Sequence, residues 1–357
     1  MTGSLPPHDV CGVGHYTKRL YDEVHGLLPV TLAYRPINRV FQLDLFTVFR
    51  DHGVIHVEYP TEGWGHSVLP GLLPLARPLY GRGAKLLLTL HEWSEMNRLR
   101  RLSIAPLVWL SDGFIFVSPR EMRAFEATAL ERVLRKPRWL IPIGVNLNVP
   151  DLSVEEVSAY RTKELGDTHD MLLVHFGFIH EGKQPTKLLE VVEQLMYMGR
   201  RPKLTFIGGF QADKGREEQA FRAWIVRRGL DHNVAWRGFV ADDHEAALIM
   251  SSCDVSLLLF ADGLTSRRGT FWYSSQHGCH VITTSPQDDE EFLSNEQALA
   301  TPRVQLVSAD ADARAIAALV DALPPYEPLR FPPSLVASWR EIALAHEDVY
   351  RELHHQP

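Results

Sequence analysis

The stretch 255–284 reads VSLLLF (255–260), ADGLTS (261–266), RRGT (267–270), FWYSSQHG (271–278) and CHVITT (279–284). An apolar run of strand length enters a loop carrying Asp262, Gly263, Arg267 and Arg268. A short helix is predicted from Arg267-Arg268-Gly269-Thr270, and Gly278 ends it before a second strand. Two adjacent guanidiniums where a helix starts favour an anion. Free N–H groups and the dipole attract phosphate there, and arginine adds planar, charge-assisted hydrogen bonds. The segment predicts a parallel α/β sheet with a diphosphate site at its edge.

The same alternation runs outward in both directions. Strands are predicted at Pro29–Arg35, Val54–Tyr59, Lys85–His91, Gly113–Ser118 and Trp139–Val145, then at Met171–Ile179, Lys203–Phe210, Asn233–Val240, Val255–Phe260, His280–Thr284 and Val304–Ser308. Segments of helical length or character separate them. Near-continuous apolar runs such as LLLTL and VSLLLF imply burial on both sheet faces, hence parallel sheets covered by helices. The expected architecture is two Rossmann-like, doubly wound domains facing across a cleft, residues 1–150 and 165–333, with 146–170 as linker. A last helix from Ser334 sets Trp339, Ile342, Ala343, His346, Val349, Tyr350 and Leu353 on one stripe, packing back onto the first domain (334–357).

Composition agrees with two domains: 357 residues, 45% hydrophobic and 23% charged. Cys11, Cys253 and Cys279 are too few for a disulfide framework and lack C-x-x-C pairing, which points to a reducing, cytoplasmic compartment and away from zinc. No apolar run reaches the roughly eighteen residues of a membrane span, and MTGSLPPHDV does not read as a leader. The net charge of -7 hides an asymmetry: residues 1–150 hold 17 basic and 13 acidic side chains, residues 151–357 hold 20 and 31. Basic clusters at Arg98, Arg100, Arg101 and at Arg132, Arg135, Lys136, Arg138 read as solvated helix faces or as a surface for an anionic acceptor. The acidic balance and the lack of a basic aromatic array argue against nucleic acid. Asp310–Asp312 reads as a helix-start loop, so no metal site is assigned.

Open parallel sheets take ligands outside the carboxyl ends of their strands. His91 and Glu92, Ser118, Gly144, Gly177 and Lys183, Gly208 and Gly209, and Gly238 all fall just past predicted strands. These residues, in order, carry a resemblance. CGVGHYTKRL (11–20), VIHVEYPTEGWG (54–65), LLLTLHEWSE (86–95), IPIGVN (141–146), HFGFIHEGK (175–183), AWRGFV (235–240) and DGLTSRRGT (262–270) together resemble the GT-B glycosyltransferases of the family 4 type across nearly the full chain. The last form is similar to a bacterial polysaccharide-biosynthesis branch.

The resemblance implies sugar transfer from a nucleotide-sugar donor, a UDP- or GDP-sugar, to a glycan or lipid-linked acceptor, with retention and without a required metal or other cofactor. It assigns the donor diphosphate to Lys183, Arg267, Arg268, Gly269 and Thr270. It assigns the nucleotide and sugar to Gly12, Gly14, Gly177, Gly209, Phe239, Asp262 and Tyr273. His91, with Glu92, is its catalytic assignment, and His15, Tyr16 and Glu62 fall on the acceptor side. Breaking a sugar–diphosphate bond develops negative charge on the leaving group, so cations must stand beside it. Gly12-Val13-Gly14 by itself admits either close approach to a ligand or a tight turn.

Departures qualify the resemblance. The paired glutamates of the family have no counterpart, since Tyr273 and Thr265 stand near their places, and Phe178 follows Gly177 where the family carries arginine. Arg267 and Arg268 then read as a relocated phosphate clamp. The family also has a core strand just ahead of TGSLPP, so either a strand lies upstream of Met1 or the first sheet lacks one. The segment SVLPGLLPLARPLYGRG (67–83), with Pro70, Pro74 and Pro78, reads as an irregular buried connection or as a lipid-leaning surface at the inner face of the membrane. With the acid pair absent, a catalytically degenerate nucleotide-sugar-binding or assembly partner stands as the second reading. An epimerase or hydrolase ranks last for want of ordered carboxylates.

Overall fold

The computed structural model describes all residues except 9–10, 38–49, 77–82, 146–148, 211–213, 241, 289–291, 293–295, 328–336 and 356–357, and omits the side chains of 76, 130–132 and 296–297. Pro78, the Arg132 side chain and Ser334 therefore lie outside the described residues. The chain divides into two compact units, Met1–Asn146 with Ala337–Pro357, and Leu147–Val336.

Among the described residues, the first unit holds four parallel strands in the order β1 (Val54–Tyr59), β2 (Lys85–Leu90), β3 (Gly113–Phe116) and β4 (Arg138–Leu140). Leu86, Leu88 and Leu90 of β2 pack with Ile55, Val57, Phe114 and Phe116 on one face, and Leu87 and Ile115 pack on the other. That second face is covered by the helices Gly12–Val24 and Trp339–His355. Tyr16, Leu20 and Val24 recur at four-residue spacing and meet Ile342, Ala343, Val349 and Leu353. Each such aliphatic side chain contributes about 1.5–3 kcal/mol by leaving water.

The run Pro29–Arg35, expected as a strand, is not one. Among the described residues its one bridge is Tyr34 to Thr2: Thr2 N–H donates to Ala33 O, and Arg35 N–H donates to Thr2 O. Pro29 lacks the N–H that a longer ladder would use. β4 ends at Leu140, earlier than expected, just ahead of Pro142.

The second unit holds, among its described residues, six parallel strands: β5 (Met171–Phe176), β6 (Pro202–Ile207), β7 (Val234–Gly238), β8 (Val255–Leu258), β9 (His280–Thr284) and β10 (Val304–Val307). Their spatial order is β10-β9-β8-β5-β6-β7. The chain thus starts at the centre, moves outward one way, then returns to β8 and moves outward the other way. The amphipathic helix Pro185–Tyr197 buries Leu188, Leu189, Val191, Val192 and Leu195 on this sheet. Asp254 joins the two central strands, accepting the Leu172 N–H at 2.7 Å and both Arg161 Nη groups at 2.9 Å.

Candidate functional site

The reversal between β5 and β8 is a topological switch point, where the loops leaving adjacent strands part and open a crevice at the carboxyl edge. Two loops meet there, Gly177–Gln184 after β5 and Leu259–Arg268 after β8, stitched by Ala261 N–H donating to Gly182 O at 2.8 Å. Gly177 has φ 113°, and a Cβ there would run into the Lys183 ammonium and the Thr270 methyl. Glycine is what lets the lysine fold back against its own strand end. Gly208, at φ 114°, likewise sits against the Gly177 carbonyl, so the ends of β5 and β6 touch through backbone alone.

Lys183 is only 7% exposed, and its ammonium has no hydrogen-bond partner among the described residues. Burial, and then the charge of Arg268, push its pKa down from 10.5 to about 7. Burial also lowers His180, aided by Lys183 and Arg268 and opposed by Asp262. Arg268 donates through Nη2 to Asp262 and lies 4.6 Å over the Phe260 ring. Cationic groups thus converge on one place, with Asp262 as the carboxylate among them. The helix Gly269–Ser275 is two turns long, so these side chains rather than its dipole set the local field.

Of the residues assigned to the donor, the structure brings Gly177, Lys183, Asp262, Arg268 and Thr270 together. Gly269 opens the helix between Arg268 and Thr270, and Arg267 is half-buried one position earlier. Gly209 and Phe239 stand past the neighbouring strands β6 and β7. Gly209 faces open space, and Phe239 is 69% exposed. Tyr273 differs: it is 0% exposed, with its ring against Phe176 and His277, and its place is in the packing beneath the edge.

In the first unit, Gly12 and Gly14 lie in the first turn of a helix rather than in a loop; Gly14 packs on the Ser4 backbone and Gly12 faces open space. His15, beside them, is half-buried, its pKa lowered by burial and Arg19. Tyr16 is buried, edge-on to His91 at 5.0 Å and hydrogen-bonded to His346 Nε2 at 3.2 Å. Glu62 and Glu92 are exposed.

His91 ends β2 and is itself buried. Its Nε2 lies 2.8 Å from Glu58 Oε2. The turn that follows is clamped: Ser94 N–H and Oγ donate to the two oxygens of buried Glu121 at 2.6 Å, and Arg101 donates to Trp93 O at 3.0 Å.

Glu58 was not singled out by its sequence. It is 1% exposed, and its second oxygen lies 3.3 Å from His56 Nε2. His56 also meets Thr89 Oγ1 at 2.6 Å and the Tyr350 hydroxyl at 2.8 Å. Burial opposes the charged form of Glu58, but the imidazoles of His56 and His91 outweigh it and hold the carboxyl at about 2. The available signal was VIHVEY itself, where His56 and Glu58 put two titratable groups on one face of a strand that is otherwise mostly apolar.

Among the described residues no group of three or more His, Cys, Asp or Glu is placed to hold a metal ion, and no helix is long and apolar enough to cross a membrane.

No family model matches the chain, and no curated protein matches it. Solved structures do. HepE of Anabaena, in complex with UDP and glucose, aligns with a TM-score of 0.60 at 14% identity over 88% of this chain and 80% of its own. A glycosyltransferase of Rickettsia africae aligns with a TM-score of 0.61 at 12% identity over 97% and 96%. Sucrose-phosphate synthase of Thermosynechococcus elongatus gives 0.56 at 18% identity over 91% and 81%. The fold of this chain is that of the GT-B glycosyltransferases.

Proposed function

We propose that this protein transfers a sugar from a nucleotide-diphosphate-sugar donor to a glycan or lipid-linked acceptor, with retention of configuration and without a required metal. The observation that carries the reading is Lys183, a nearly buried cation with no hydrogen-bond partner among the described residues, beside Arg268 at the switch point of the second sheet. Burying a cation without a counter-charge is costly unless a ligand supplies one. A diphosphate is an anion that two cations can share, and its leaving-group charge grows as the glycosidic bond breaks. Phe239 offers an exposed ring for a base, and HepE, which shares the fold, binds UDP-glucose, so a uridine nucleotide is the first donor to try. His91 is assigned to the transfer step.

For the acceptor side, Leu99 is 79% exposed and Leu102 and Trp109 stand exposed nearby in sequence, with exposed Arg98 ahead of them. Such a surface suits peripheral contact with the cytoplasmic face of a membrane. Cosedimentation with anionic liposomes checks that part.

A second reading, a nucleotide-sugar-binding partner without turnover, is favoured by one fact: Tyr273 and Thr265, near the places of the family's acid pair, are both buried. Thermal-shift screening with UDP, GDP and their sugars, followed by donor hydrolysis and transfer assays, separates the two. Turnover supports the transferase and binding without turnover supports the partner. No binding of any nucleotide overturns both.

A further inference from the structure

We propose that Glu58 is a positioning residue for His91, fixing which ring nitrogen carries the proton; the inference rests on the assignment of His91 to the transfer step. The carboxylate can only accept, so His91 Nε2 is the donor across the 2.8 Å contact and the ring lone pair is on Nδ1. An imidazole held this way has one tautomer and one orientation, and any positive charge it takes up is matched by the carboxylate.

Glu58 is itself held. Its second oxygen lies by His56 Nε2; His56 is fixed through Nδ1 by the Tyr350 hydroxyl and through Nε2 by Thr89. Tyr350 belongs to the C-terminal helix. Another residue of that helix, His346, donates through Nδ1 to Ile342 O, which leaves its Nε2 to accept from Tyr16. Tyr16 in turn packs edge-on against the His91 ring. The His91 ring is therefore set on one side by a carboxylate and on another by a tyrosine, and both are anchored to the last helix.

A purely structural role fits poorly. Glu58 lies between Val57 and Tyr59 in a buried strand, where an apolar side chain would avoid the desolvation that a carboxylate suffers. Its two oxygens meet imidazole nitrogens rather than lysine or arginine. A carboxylate in that arrangement orients rings.

The test uses the full-length chain with 15N-labelled histidine. Two-bond 15N–1H correlation reads the tautomer, and the His91 signal is the one missing in His91→Asn. The proton is expected on Nε2 in the wild type, and an Nδ1–H tautomer overturns the proposal. Kinetics supply the second readout, with UDP-glucose as donor. Glu58→Gln is expected to lower kcat on the order of 100-fold while KM moves less than about threefold. In the His91→Asn background the same substitution is expected to add less than about threefold, because Glu58 acts through the ring. Wild-type kcat in Glu58→Gln, or effects that multiply in the double variant, overturns it. Should Glu58→Gln not fold, the wild-type tautomer decides. An inactive wild type with the Nε2–H tautomer counts against the transferase reading and not against the positioning.

Discussion

Binding of a nucleoside diphosphate is expected to draw a proton onto Lys183. Its pKa of about 7 in the folded chain means the side chain is about half charged at pH 7 and roughly one-tenth charged at pH 8. A diphosphate against the ammonium restores the charged form. Uptake attributable to Lys183 is then ~0.5 proton at pH 7 and ~0.9 at pH 8. Calorimetric titration of UDP in buffers of different ionisation enthalpy measures this number directly. Comparison with Lys183→Met removes the contribution of the nucleotide itself. That variant should bind about 10–150-fold more weakly, the loss of one charge-assisted hydrogen bond worth ~1.5–3 kcal/mol. The free protein should respond in the opposite sense. The unfolded chain, with lysine at its ordinary 10.5, binds more protons than the folded one between pH 7 and 10.5, so stability rises with pH across that window. The full span is ~5 kcal/mol as an upper limit. Lys183→Met should therefore melt higher than wild type at pH 7 and lose most of that slope. Equal proton uptake in wild type and variant at pH 8, or unchanged UDP affinity in the variant, would refute the reasoning.

Three further outcomes are expected. Gly208→Ala places a methyl against the Gly177 carbonyl at φ 114° and should cost at least ~2 kcal/mol in urea unfolding; a loss below about 0.5 kcal/mol would show that the strand ends are not in contact. Asp262→Asn frees Arg268 from a partly exposed ion pair worth up to ~1 kcal/mol, so UDP should bind about two- to fivefold more tightly; weaker binding would place Asp262 on the ligand instead. His175 and His277, each pushed to about 3 by burial, stay neutral in the folded chain while unfolded histidine protonates near 6.5. Their own contribution to stability should be constant above about pH 6.5 and fall towards pH 3, by up to ~1.4 kcal/mol per pH unit for each; equal unfolding midpoints at pH 7 and 4.5 would contradict their burial as neutral groups.

The parallel sheets were legible because strands buried on both faces must be apolar throughout, as in LLLTL and VSLLLF. Pro29–Arg35 was misread because strand-like composition does not reveal that its neighbour is the short segment Met1–Thr2. At the site, the loop after β5 was readable as a place for a cation. That Lys183 folds back over Gly177 and lies nearly buried was not, since it depends on two backbone conformations that residue types do not encode. Tyr273 shows the reverse: counting positions along a motif put it at the ligand, while the side-chain direction in a two-turn helix sends it inward. Glu58 escaped notice because its partner His91 is 33 residues away and is brought to it by sheet pairing, with Tyr59 opposite Leu90.

The covering of the first sheet by the helix Trp339–His355 bears on how the chain is born. Leu87 and Ile115 emerge from the ribosome before residues 147–336, but Ile342, Val349 and Leu353, which cover them, emerge after that stretch. Between these two events the whole of Leu147–Val336 is synthesised, a unit with its own core. The unit whose synthesis starts earlier is thus completed after the other. Until then, its apolar face and the buried Glu58–His56 pair wait for Tyr350 and its neighbours, a window in which chaperone holding or a stalled ribosome would leave that unit open while the other is already folded.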